Sequence, residues 1–158
     1  MQISGKMIKY IGYAAVLLLI GAQLIRPGKT NPRIDPAMTF DEIGKPVPDV
    51  ASIVHRACNN CHSNATVWPW YSHIAPVSWL VVSDVREARE HLNFSEWGLL
   101  SREKSRSLIR EACDEVKAGD MPLWYYRLVH PESWLTEKDV STLCDWASRM
   151  EDPRGNQP

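Results

Sequence analysis

The sequence predicts an all-α protein in which a small helical domain follows a single N-terminal transmembrane helix. Three observations predict this. The chain opens on an apolar run; four later segments repeat apolar residues at helical spacing; and no segment alternates β-branched and polar residues between hairpin signals. With 158 residues, 44% of them hydrophobic and 23% charged, the chain has room for one ordinary globular domain and is not of disordered composition.

The first element spans residues 1–25. Between Tyr10 and Ile25 there is no charge, Lys6 and Lys9 precede the run, and Gln23 is its one strongly polar side chain. Roughly 20 helical residues cross a bilayer core, so this run reaches across when flanking Lys and Arg extend to the headgroups. It reads either as an uncleaved signal-anchor or as a signal peptide cut after a small residue such as Ala22. Either way the body is exported. Residues 26–48 hold five prolines and two glycines without a sustained period, which predicts an extended tether.

The body, residues 49–150, reads as helices. The first, from about Asp49, carries Val50, Ile53, Val54 and Ala57 on one face and continues into the motif "CNNCH", residues 58–62. An aromatic turn-rich loop follows. The next helix opens at Pro76, and the one after it has Ser101 as N-cap and Gly119 as its end. The last begins at Thr136 with Asp139 three residues on, a capping box with the shorter acid, and buries Leu143, Trp146 and Ala147. Residues 151–158 form a polar tail. All 19 acidic residues lie after position 34, so the body is net acidic and has no long-range attraction for nucleic acid. Seven tryptophans against two phenylalanines suit a core built around a flat, bulky partner, or plain core packing.

Cys58 and Cys61 admit three chemistries. A thioredoxin-like dithiol needs a βαβ setting, which is missing here. A zinc site needs four ligands, and Cys58, Cys61 and His62 supply at most three. The spacing Cys-x-x-Cys-His also suits covalent attachment of one haem c. Thiols three positions apart share a helix face and can bond two vinyl groups, and His62 then turns under the iron as proximal ligand. Export supplies the compartment. A low-spin site needs a second axial ligand from His73, His91, Met121, His130 or Met150. Met121 leads, in "AGDMPLWYY", because Pro122 stiffens the loop that would hold its thioether; His73, His130 and an open site remain as alternatives.

Beyond these residues, "CNNCHSNATVWPWYSHIAPVSWLVVSDVREAREHLNFSEW" and "GDMPLWYYRLVHPESWLTEKDVSTLCDW" resemble the bacterial haem-binding domain family of small membrane-tethered proteins over residues 50–148. The shared features are Cys58, Cys61 and His62, the "NxTxWPWY" run ending at Tyr71, "IAPVSW", "LNFSEW" and Met121-Pro122. The resemblance implies a monohaem, cytochrome c-like domain, and names no substrate. The Met-Pro and closing Leu-Trp pattern also resembles class I cytochromes c, from which the long aromatic insertion after the haem motif departs.

Trp68, Trp70, Tyr71 and Trp79 follow the motif closely enough to wall the pocket, with N–H or O–H groups for a propionate, or simply to pack. Arg86, Arg89 and Arg127 read as solvated helix-face charges that could instead meet propionates. Cys113 and Cys144 are left over, and in an oxidising compartment they are expected to pair. The leading functional expectation is electron transfer by a single-pass protein of a bacterial inner membrane, haem domain in the periplasm, working with redox protein partners or as a subunit of a respiratory or photosynthetic complex. A haem enzyme or gas sensor with an open distal site, using a base such as His73, is the alternative, and a structural haem subunit a third.

Overall fold

A computed structural model describes residues 5–151, so the first four residues of the expected anchor and the polar tail beyond 151 lie outside the described residues. The described residues are helical and contain no strand. α1 runs Gly5–Ala22, long and apolar enough to cross a membrane, with none of its residues buried against the body. α2 (Pro48–Ala57), α3 (Val77–His91), α4 (Arg102–Ala118), the short α5 (Trp124–Val129) and α6 (Glu137–Glu151) form the body.

The expected caps are present. Ser101 Oγ accepts from Lys104 N–H at 3.1 Å at the start of α4. Thr136 and Asp139 exchange bonds at 2.8 and 3.1 Å before α6. Gly119 ends α4 at φ 81°, a left-handed conformation that glycine adopts without a Cβ clash. α6 packs on both α2 and α4. Leu143, Trp146 and Ala147 meet Leu108, Ile109 and Val116 in one apolar core. Cys113 and Cys144 form a disulfide joining α4 to α6, with Cα atoms 5.2 Å apart. Closing a 31-residue separation stabilises the fold by about 3–4 kcal/mol in the chain-entropy picture. At the end of α2, Arg56 donates to the Glu132 and Trp134 carbonyls, both at 2.8 Å, and pairs with Asp139 at 2.7 Å, tying α2 to the turn before α6.

Three expectations are corrected. The tether is not free along 26–48. Its second half forms a 3-10 turn, Pro36–Met38, and a π-helical turn, Phe40–Gly44. Phe40 is 2% exposed and lies edge-on to Phe94, Trp97 and Trp146, with centroids at 5.0, 5.0 and 5.5 Å. The body's core therefore reaches back to Phe40, because an aromatic side chain gains more by burial than a short turn loses in ordering. Secondly, α2 stops at Ala57, so the cysteine motif sits on a turn after the helix. Thirdly, Trp97 and Trp146 are the two buried tryptophans; Trp70, Trp79, Trp124 and Trp134 are exposed.

The place of Phe40 in the core generates the first prediction. Phe40→Ala should lower unfolding stability by about 3–5 kcal/mol in denaturant titration. A loss under about 0.5 kcal/mol, as for an exposed tether position, would contradict it.

Candidate functional site

The site begins where α2 runs out. Cys58 closes α2 with its N–H on the Val54 carbonyl, and its own carbonyl accepts both Cys61 N–H at 3.1 Å and His62 N–H at 2.9 Å. Two asparagines, poor in helix interiors and at home in turns, let the chain curl about Cys58 in place of continuing straight. The curl keeps both thiols and the imidazole on one cavity.

That cavity, about 600 Å³, lies between α2, α3, α4 and the segment from Met121 to Tyr126. Its apolar wall includes Val54, Leu108, Ile109, Val116 and Leu143. Cys58, Cys61, His62 and Met121 all line it. Its polar side chains include Asp84, Glu87, Glu111, Glu115, His91 and two tyrosines, and no lysine or arginine lines it.

His62 is held from both sides of its residue. Its carbonyl accepts Phe94 N–H at 2.8 Å, and its Nδ1 donates to the Leu92 carbonyl at 3.0 Å. With the proton on Nδ1, Nε2 carries the lone pair that a metal requires. Burial holds the imidazole below its ordinary pKa, opposing the carbonyl bonds, so the ring is neutral. Phe94 lies edge-on to it at 6.3 Å.

Met121 comes from the other end of the body. The Asp120 and Met121 N–H groups both reach the Glu115 carbonyl, at 3.0 and 3.3 Å, which pins the loop to the end of α4. Pro122 is buried behind a half-buried Met121.

Burial pushes the Cys58 thiol up to about 12, with Cys61 adding and Arg56 opposing. Burial likewise lifts Cys61 to about 11, with Asp84 adding and Arg89 opposing. A redox dithiol needs the reverse, a depressed thiol pKa. Among the described residues no group of three or more His, Cys, Asp or Glu could hold a metal ion. The site does fit haem: an apolar slot, two thiols, a neutral imidazole oriented by a carbonyl and a thioether share one wall system.

An all-helical body with such a cavity defines a haem-binding protein. The chain belongs to the haem-binding domain family, whose profile matches residues 17–149. No curated protein and no solved structure matches it.

The aromatic residues expected to wall the pocket do not line it. Trp68 donates its indole N–H to Asn31 at 3.2 Å, Trp79 donates to the Ile25 carbonyl at 2.8 Å, and Trp70 is 76% exposed. Tyr71 donates to His130 Nε2 at 2.6 Å. Trp68 and Trp79 thus meet the N-terminal segment, and Tyr71, on the 3-10 turn Trp70–His73, meets the end of α5. His73 meets Lys29, His130 is stacked on Tyr126, and Met150 packs against the core; none of the three lines the cavity. His91 does, at its mouth, paired with Glu111 at 2.9 Å. Arg86 lies near Glu87 and Glu90 at 4.0 Å, and Arg127 covers the Trp134 ring, so neither lines the cavity.

Tyr125 and Tyr126 are the lining residues that sequence reasoning missed. Tyr125 donates to Asp84 at 2.9 Å, and Tyr126 accepts from Asn60 at 2.9 Å, inside the cysteine motif. Their signal was available: they lie four and five residues past Met121, at the start of α5.

Arg89 is neither a solvated charge nor a cavity residue. It donates to the Ser63 carbonyl, Thr66 Oγ1 and the Thr30 carbonyl, each at 2.7 Å, and to Asn31 Oδ1 at 3.1 Å. Arg89→Lys keeps the charge but loses the planar fork. It should cost about 2 kcal/mol of holoprotein stability while the haem absorption spectrum stays unchanged; a stability equal to wild type would contradict the clamp.

Proposed function

We propose that the protein is a membrane-anchored, monohaem c-type cytochrome that transfers electrons. Cys58 and Cys61 carry one haem covalently, His62 is its proximal ligand and Met121 its distal ligand. The observation that carries this reading is the single cavity on which Cys58, Cys61, His62 and Met121 converge from two distant segments. Haem, when bound, supplies the one-electron couple; the chain supplies ligands, burial and orientation. A methionine ligand favours the reduced iron over bis-histidine ligation, and apolar walls add to that preference.

α1 supports a single-pass anchor, and covalent haem attachment at Cys58 and Cys61, a chemistry carried out after export, supports placing the haem domain in the periplasm of a bacterial inner membrane. The acidic cavity mouth supports a redox protein partner with a basic docking patch, within or beside a larger membrane complex. The open-site enzyme or sensor reading would use a base at the iron, and His73 is outside the cavity against Lys29.

Two measurements test the proposal. The ferrous holoprotein should be low-spin and unreactive to carbon monoxide, and Met121→Ala should become high-spin and bind it; rapid binding by wild type, or no change in the variant, would remove Met121 from the ligand role. Haem should also stay with the polypeptide on a denaturing gel. Cys58→Ser with Cys61→Ser should release it, and release from wild type would overturn covalent attachment.

A further inference from the structure

The chain does not swing free where α1 ends at Ala22. Gln23 holds Ala75 twice: its Nε2 donates to the Ala75 carbonyl and its Oε1 accepts the Ala75 N–H, both at 3.0 Å. The Ile25 carbonyl takes the Trp79 indole N–H at 2.8 Å, and the Lys29 ammonium donates to the Ser72 carbonyl at 3.3 Å. These ties fix residues 70–80 of the body against the foot of α1. The same segment turns apolar side chains outward. Trp70 is 76% exposed, Ile74 47% and Leu80 48%, and Leu24 and Ile25 are exposed beside them. Apolar groups gathered at one place mark an interaction surface.

What covers them follows from where α1 ends. Its 18 residues span about 27 Å, close to the thickness of a bilayer core, so Gln23–Ile25 falls at the outer boundary of the hydrocarbon. Tryptophan is the residue that partitions to that boundary, and Arg26, Lys29 and Arg33 stand where anionic headgroups lie.

We propose that Trp70, Ile74, Val77 and Leu80, with Leu24 and Ile25, form a second membrane contact that seats the haem domain on the outer lipid interface in one orientation. This rests on α1 spanning the bilayer. The seat also sets the height of the site. Val77, Leu80, Asp84, Glu87 and His91 follow each other at helical spacing along one stripe of α3, and the last three line the cavity. Leu80 and Asp84 are one turn apart, about 6 Å along the axis. The Asp84 edge of the cavity therefore lies about one helical turn from the lipid contact, within reach of a partner embedded in the same membrane.

The test uses full-length holoprotein in vesicles of phosphatidylethanolamine and phosphatidylglycerol. A benzophenone amino acid is placed singly at Leu17, Trp70, Ile74 or Ser141, the last on α6, which packs on α2 and α4. Each variant is accepted on an unchanged haem spectrum and then irradiated, and intact-mass analysis reads lipid adducts. Adducts at 17, 70 and 74, at least tenfold above 141, are expected. Adducts at 17 with 70 and 74 no higher than 141 would overturn the seat and leave the spanning helix standing. Loss of the adduct at 17 would remove the spanning helix and the seat with it. A crosslinked dimer from 70 and 74 in place of lipid would assign the surface to a second copy of the chain and overturn the proposal.

Discussion

A polar loop that has to be buried governs the architecture around the haem site. Ser63, Asn64 and Thr66, directly after the cysteine motif, are nearly inaccessible to solvent. Buried polar groups cost of order 1–3 kcal/mol each when unpaired, so this stretch persists only where partners surround it. Arg89 supplies two of them from α3. Ser95 accepts Asn64 N–H at 3.0 Å, Asn93 donates to Asn64 Oδ1 at 2.9 Å, and Thr66 Oγ1 donates to the Asn60 carbonyl at 2.7 Å. The loop thereby becomes a rigid bracket between the end of α2 and the end of α3. His62 is positioned by the same bracket, since the Leu92 carbonyl and Phe94 N–H that hold it belong to the segment that satisfies Asn64.

The cavity's far side is rigid for different reasons. α4 contributes Leu108 and Ile109 both to the core and to the cavity wall, so movement of the wall would open the core. The disulfide fixes α4 to α6, and Phe40, with Trp97 and Trp146, fills the space behind them. The methionine loop leaves α4 at Gly119 and is caught at once by the Glu115 carbonyl, so Met121 inherits the stiffness of α4. Two independently braced segments therefore set the distance between His62 and Met121.

What was legible in the sequence is what short-range chemistry dictates. The Cys-x-x-Cys-His spacing, the caps at Ser101 and Thr136, the αL glycine and the buried stripe of α6 each depend on residues within a turn or two of one another. That Met121 reaches the cavity was legible because the proline beside it announces a fixed loop. Phe40 was not, since a single aromatic among prolines has no period, and its burial is decided by Phe94 and Trp146 far along the chain. The aromatic residues after the motif misled for the same reason. Proximity in sequence to Cys61 placed them at the haem, whereas bonds to Asn31, Ile25 and His130 hold Trp68, Trp79 and Tyr71 away from the cavity, which Tyr125 and Tyr126 line. Arg89 was misread because its four acceptors come from two segments, 30–31 and 63–66, that only the folded chain brings together.

That misreading also explains the aromatic insertion, the feature that separates this chain from a compact cytochrome c. The residues between the haem motif and α3 face the segment that follows α1. Thr66 accepts from Asn31, Trp68 donates to Asn31, Ser72 accepts from Lys29, Ala75 exchanges two bonds with Gln23, and Trp79 donates to Ile25. Most of the hydrogen bonds between residues 23–31 and the body run through this insertion, with Trp79 and Arg89 of α3 supplying the others. An untethered carrier has no use for it. The insertion couples the segment after α1 to the bracket that holds His62, through Arg89 and Asn31. Thr30, Asn31, Arg89 and the polar bracket beside His62 then form one connected hydrogen-bonded network.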